Sequence, residues 1–160
     1  MIELQKSCFT AFIVYVIHMK EGQLFMIKVI YGEKGMGKTK ILIDTANKLS
    51  TESSGAVVFI DDSTQLIYDL KHEIRFVNMT DFPGMDPSGF FGFLCGILSQ
   101  NYDIEGIFVD GLNYIVKKKA GELGDFFEQL RIVEKKTSIK FYITINGNND
   151  DIPSFLRDLA

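Results

Sequence analysis

The chain has no tryptophan, three prolines, two cysteines and two histidines in 160 residues. Cys8 and Cys95 form no C-x-x-C pair, so they supply no disulfide framework and read as reduced, buried or incidental thiols of a cytosolic protein. Two cysteines and two histidines at these spacings cannot build a zinc site. Arginine is scarce too: only Arg75, Arg131 and Arg157 are present, whereas small-molecule kinases use several cations to neutralise a transferring phosphoryl group. An excess of positive charge is missing. The net charge is -4 and the pI about 5.2, which argues against broad electrostatic binding to nucleic acid. Lys117-Lys118-Lys119 and Lys135-Lys136 are local exceptions that read first as solvated faces. No apolar run is long enough to span a bilayer, which takes about 20 residues. No repeat or linker divides the chain, and its length suits one domain with a proper core.

Cys8 to Met19 is the longest apolar run. Lys20-Glu21 follow it with no small-x-small cleavage site, so it is not read as a signal peptide. Lys20-Glu21-Gly22 can be encoded as AAG-GAG-GGN, which contains a bacterial ribosome-binding sequence, and Met26 follows shortly after. The expectation is that residues 1–25 are a translated leader or non-core N-terminal extension of a bacterial protein. Residues 26–160 would then be a single cytoplasmic domain. An added strand or helix and a membrane anchor are the other readings of that segment.

What is present is led by Gly32-Glu33-Lys34-Gly35-Met36-Gly37-Lys38-Thr39, which matches the phosphate-binding pattern G-x-x-x-x-G-K-[ST] at every fixed position. Glycines let the backbone bend round a phosphate and aim N–H groups at it, and the following helix adds its positive end. Lys38 would reach the β- and γ-phosphates, and the Thr39 hydroxyl would hold Mg²⁺. The context fits: residues 26–31 read as a strand and residues 38–50 as a helix.

Further along, residues 56–60 and 106–110 are apolar, β-branched runs of the kind buried on both faces of a parallel sheet. Residues 74–79 and 140–146 read as two more strands. Helices are expected over 64–71, over 88–100 with Ser88 as cap, over 124–135 and over 152–159, with loops at 80–87 and 147–151. The apolar helix with Phe90, Phe91, Phe93, Leu94, Ile97 and Leu98 reads as core. The alternation predicts a three-layer α/β/α fold with a mostly parallel sheet of about five strands. Ligands of such sheets bind at the carboxyl ends of the strands. The glycine loop, Asp61-Asp62, Asp110 and Asn146 all fall there.

Asp110 ends an apolar strand, the Walker B pattern, and would act on Mg²⁺ through a water opposite Thr39. A strand-end aspartate capping a turn is the plainer reading. Gly111 follows it, where many ATPases carry a glutamate base. Asp62 or Asp61 could polarise an attacking water, although Asp-Asp-Ser also suits a turn. Asn146, with Thr144 two residues before it, could sense a γ-phosphate.

The order of the glycine loop, Phe59-Ile60-Asp61, Val109-Asp110 and Ile143-Thr144-Ile145-Asn146 resembles the ATPase core of RecA-type P-loop proteins over most of residues 26–146. The resemblance implies ATP and Mg²⁺ as ligands. It also implies that residues 140–146 lie beside residues 26–31, between the glycine-loop strand and the Walker B strand. The chain departs from that family where Ser63 stands in place of the catalytic glutamate and Gly147 in place of the sensor glutamine. Its DNA-binding loops are not recognisable. GTPase and partition-protein signatures fit less well. Three functions follow in order: a slow or partner-dependent ATPase, a non-hydrolysing ATP-binding module, and a small-molecule kinase. A homo-oligomer or a protein partner is expected, because sites of this class often lie between subunits.

Overall fold

The computed structural model describes residues 13–17, 27–148 and 150–157. One six-stranded sheet runs in the order β1-β2-β6-β5-β3-β4. Its strands are β1 (Ile13–Ile17), β2 (Ile27–Gly32), β3 (Ala56–Asp61), β4 (Arg75–Asn78), β5 (Ile104–Val109) and β6 (Lys140–Asn146). The five strands from β2 onward are parallel. β6 lies between β2 and β5, with Gly32 opposite Asn146 and Val109 opposite Ile143, which is the neighbour relation that the RecA resemblance implies. The sheet is covered on both faces, as the alternation predicts.

The strands alternate their side chains between two apolar layers. Ile27, Val29 and Tyr31 of β2 face one core with Ile107, Val109, Phe141, Ile143 and Ile145. That core is closed by α2 (Pro87–Gln100), α3 (Leu112–Ile115), α4 (Gly124–Thr137) and α5 (Ser154–Arg157). The opposite face carries an aromatic row, Phe76, Phe59, Phe108 and Tyr142, one from each of β4, β3, β5 and β6. Successive ring centroids lie 6.4, 6.2 and 4.4 Å apart. Across it lies α1 (Lys38–Glu52), which buries Leu42, Ile43, Ala46 and Leu49 at helical spacing. Burying a side chain of this size contributes roughly 1.5–3 kcal/mol, so these two layers hold the strand ends in fixed relation.

Four details differ from the sequence reading. Residues 64–71 form only a single 3₁₀ turn, Gln65–Tyr68. Ile67 and Tyr68 are exposed, so this stretch has no continuous apolar face to fix a longer helix. Asp86, not Ser88, caps α2. Its carboxylate accepts from the Gly89 N–H at 2.8 Å, and Pro87 takes the first helical position, where its fixed φ suits the turn. The four-residue α3 is a further helix that periodicity is too short to reveal. Finally, β1 pairs antiparallel with β2 from Ile13–Tyr31 to Ile17–Ile27, so Ile13–Ile17 adds an edge strand within the segment expected to be leader. The rest of residues 1–25, Cys8 included, and Met26 lie outside the described residues, as do Asn149 and residues 158–160 of the expected terminal helix. Among the described residues no helix is long and apolar enough to cross a membrane.

Candidate functional site

The loop between β2 and α1 turns on Gly35 and Gly37, whose φ values are 87° and 83°. Gly37 directly precedes α1, so the loop delivers Lys38 and Thr39 at the helix start. Lys38 is 5% exposed. Its ammonium donates to the Glu33 carbonyl at 2.6 Å, folding the side chain back over the loop. Burial pulls the lysine below its ordinary range, while the charge of Asp110 opposes that shift.

A polar chain crosses the sheet ends next to this lysine. The Thr39 hydroxyl donates to one carboxylate oxygen of Asp110 at 2.7 Å. The Thr144 hydroxyl donates to the other at 2.5 Å and accepts from the Gly111 N–H at 2.7 Å. Thr144 is fully buried, so it holds the Asp110 carboxylate in one orientation. Neighbouring β3 brings in Asp61, 5% exposed and hence desolvated, and close enough to Asp110 to feel its charge. Desolvation first and that charge second push its carboxyl up to about 7. Asp62 is exposed on the same rim.

The sequence reading singled out Gly32 to Thr39, Asp61, Asp62, Asp110 and Asn146. The structure brings Lys34, Lys38, Thr39, Asp61, Asp62, Asp110 and Asn146 together on one cleft of about 810 Å³. Glu33 contributes its carbonyl to Lys38 rather than a lining side chain, and neither Gly32 nor Met36 lines the cleft. The cleft extends along α1 past Ile43, Asp44 and Asn47 to Leu66 and Asp69.

Three participants were not anticipated. Asn113 clasps the end of β6: its side-chain amide donates to the Asn146 carbonyl at 3.1 Å and its side-chain oxygen accepts the Asn146 N–H at 3.0 Å. Only the turn after Asp110 places it there, and no local pattern announces that turn. Tyr114, half exposed, packs over Gly111. Tyr31 reaches from the end of β2 with its hydroxyl 3.0 Å from the carbonyl oxygens of both Asn148 and Asp151.

Gly111, where many ATPases carry a glutamate, and Gly147, which stands in place of the sensor glutamine of the RecA pattern, each have a local cause. Gly111 has φ 65°, a left-handed conformation in which a glutamate would be strained. A Cβ on Gly147 would fall 2.1 Å from the Tyr31 hydroxyl, so no larger residue fits there while Tyr31 keeps its place.

The site's chemistry is that of hard oxygen donors, a hydroxyl and carboxylates, beside a buried ammonium. That set suits a hard cation together with an anion. Among the described residues no three His, Cys, Asp or Glu side chains are grouped to cage a metal on their own, so a cation here would take its remaining ligands from an anion and from water.

No family model and no curated protein matches the sequence. Among solved structures, the chain is similar to the flagellar accessory protein FlaH from Methanocaldococcus jannaschii, with a TM-score of 0.54 and 16% identity. The match covers 82% of this chain and 66% of that protein, so the chain spans a little under two thirds of its length. At this identity the likeness shows a shared α/β fold.

Proposed function

We propose that the chain is a Mg·ATP-binding P-loop protein with slow or partner-dependent ATP hydrolysis. The observation that carries this reading is the 2.7 Å hydrogen bond from Thr39 to Asp110. It joins the last residue of the glycine motif to the Walker B carboxylate, the two groups that would hold a magnesium ion. Thr39 would be a direct ligand and Asp110 would act through a water. The ion would supply charge stabilisation at the β- and γ-phosphates. The backbone N–H groups of residues 32 to 39 would cradle those phosphates, and Lys38 would exchange the Glu33 carbonyl for them. Thr144 keeps Asp110 aligned while this happens. Asn146, at the end of β6 and with no side-chain hydrogen bond among the described residues, would donate toward the γ-phosphate.

The weak point is activation of water. Gly111 and Ser63 supply no base. Asp61 and Asp62, at the end of β3, are the cleft carboxylates nearest in the fold to Asp110, and a catalytic base works best with a pKa near the working pH. Asp61 meets that condition, at about 7, while exposed Asp62 has the freedom to turn toward a bound nucleotide. The strain a glutamate would meet at position 111 favours, as second reading, a binding module that acts through partners without turnover. The third reading, a small-molecule kinase, has no cluster of arginines to support it. A homo-oligomer or a protein partner would complete the site in the first two readings.

The test is twofold. Lys38→Ala should weaken Mg·ATP binding in calorimetric titration by roughly 10- to 100-fold, the worth of a charge-assisted phosphate contact; unchanged affinity sinks the nucleotide assignment. Thr39→Ala should keep part of the affinity and lose its Mg²⁺ dependence. Steady-state phosphate release by wild type, Asp61→Asn, Asp62→Asn and Asp110→Asn should then show slow turnover that falls by about 10²–10⁴-fold in the variant lacking the base. If wild type releases no phosphate above background in any condition, the non-hydrolysing module replaces the first reading.

A further inference from the structure

Beside the cleft lies a second groove of about 660 Å³, which shares Tyr114 and Asn146 with it. It is lined by the run Lys117-Lys118-Lys119 just after α3, by Asn113, Gly147 and Asn148, and by the acidic residues Glu122 and Asp151. We propose that this groove is a second ligand site, which takes a small phosphate-bearing molecule through Lys117 and Lys119 and shares Asn146 with the cleft.

The backbone that carries these lysines is held, while their side chains stand exposed. Lys117 has φ 52°, the left-handed region that few non-glycine residues occupy. It is locked there by bonds from its N–H to the Tyr114 carbonyl at 3.3 Å and from the Lys118 N–H to the Asn113 carbonyl at 3.1 Å. Lys118 is committed to Glu122 at 3.8 Å. The Glu122 carboxylate also accepts the Lys119 N–H at 2.9 Å. Among the described residues no carboxylate pairs with the ammonium of Lys117 or Lys119, so two cations on one wall stay free for a ligand. A lysine binds phosphate as a compact point charge.

Three observations favour a small molecule. The groove volume falls in the range of about 300–1,000 Å³ usual for small-ligand sites. The positive charge of the groove is one short run of three lysines, beside Glu122 and Asp151, on a chain of net charge -4, which does not provide the extended basic track a nucleic acid follows. Asn146 stands at the junction with no side-chain hydrogen bond among the described residues, and its amide nitrogen lies near Gly111, beside Tyr114. A ligand in the groove therefore touches the same α3–β6 clasp that borders the cleft, where Asn113 holds Asn146 by two hydrogen bonds.

The test uses the full chain, labelled for amide NMR and titrated with inorganic phosphate and, separately, with glucose 6-phosphate and glucose. Lys38→Ala serves as background to silence the neighbouring cleft, which keeps this test separate from the nucleotide reading. Both phosphate probes should shift the amides of residues 117–119 and 146–148 in wild type and in Lys38→Ala alike, and glucose should not. Lys117→Gly, which relieves the left-handed backbone and so keeps the turn, combined with Lys119→Gln should weaken the phosphate response at least tenfold with unchanged circular dichroism. Shifts confined to residues 32–39, no shift at all, or an unaltered response in the double variant would overturn the site. Tighter, strongly salt-dependent binding of a single-stranded oligonucleotide at these amides would overturn its assignment to a small molecule.

Discussion

Asp61 is where single-residue physics has a measurable consequence. Burial and the charge of Asp110 push its carboxyl up from the ordinary 3.8 to about 7 in the folded chain. Between those values the folded state holds a proton that the unfolded state has released, so folding is favoured at low pH. Stability then falls as pH rises from about 4 to about 7, and above that the full cost of a buried carboxylate beside Asp110 is present. Asp61→Asn keeps the shape and removes the charge. In urea unfolding without Mg²⁺ it should be more stable than wild type at pH 8, by about 2–4 kcal/mol, and nearly equal to it at pH 4. An equal difference at both pH values would mean that the side chain's packing, not its ionisation, sets the effect. Carboxylates crowded at strand ends are a cost to the fold, and that cost motivates reading them as a cation's seat.

At the scale of elements, the decisive unit is the junction where β2, β5 and β6 end. Tyr31, Gly147, Asn113 and Thr144 knit the three strand ends through hydrogen bonds and one close approach. Gly147→Ala should lower stability by about 1–3 kcal/mol, the usual cost of overpacking a filled site, read as a shift in denaturation midpoint with unchanged slope. Tyr31→Phe keeps the ring and loses only hydrogen bonds, so it should cost about 0.5–1.5 kcal/mol. If Gly147→Ala is neutral, the Tyr31 ring moves freely, and the account of the missing glutamine given above fails.

At the scale of the whole molecule, the sheet has a parallel body of five strands and one antiparallel edge. The domain boundary at Met26 is our proposal: a chain beginning there keeps every described residue of both apolar layers. It should fold cooperatively and bind Mg·ATP with the affinity of the full chain, measured by thermal unfolding and calorimetry. The β1 strand gives up its backbone pairing with β2 in that chain, and the newly exposed edge should raise its tendency to self-associate, visible in sedimentation. A loss of several kcal/mol on truncation would instead make β1 part of the core, a large fraction of a typical domain's stability.

Local chemistry determined much of this protein from sequence alone. The glycine loop and the β-branched runs are short-range signals, because backbone freedom and buried-strand composition act within a few residues; they yielded the succession of five strands along the chain, the α/β class and the part of the cleft formed by the glycine loop, Asp61, Asp62, Asp110 and Asn146. The antiparallel placing of β1 was open, since a short apolar run has no partner written into it. Tertiary structure alone decided the rest. The roles of Asn113 and Thr144 depend on partners 33 and 34 residues away in sequence being brought to one edge, and the second groove depends on a four-residue helix whose length carries no periodicity. The pKa of Asp61 arises from desolvation and from Asp110 on an adjacent strand. Such effects come from proximity across the sheet, and proximity of that kind is set by packing of the two layers rather than by any stretch of neighbouring residues.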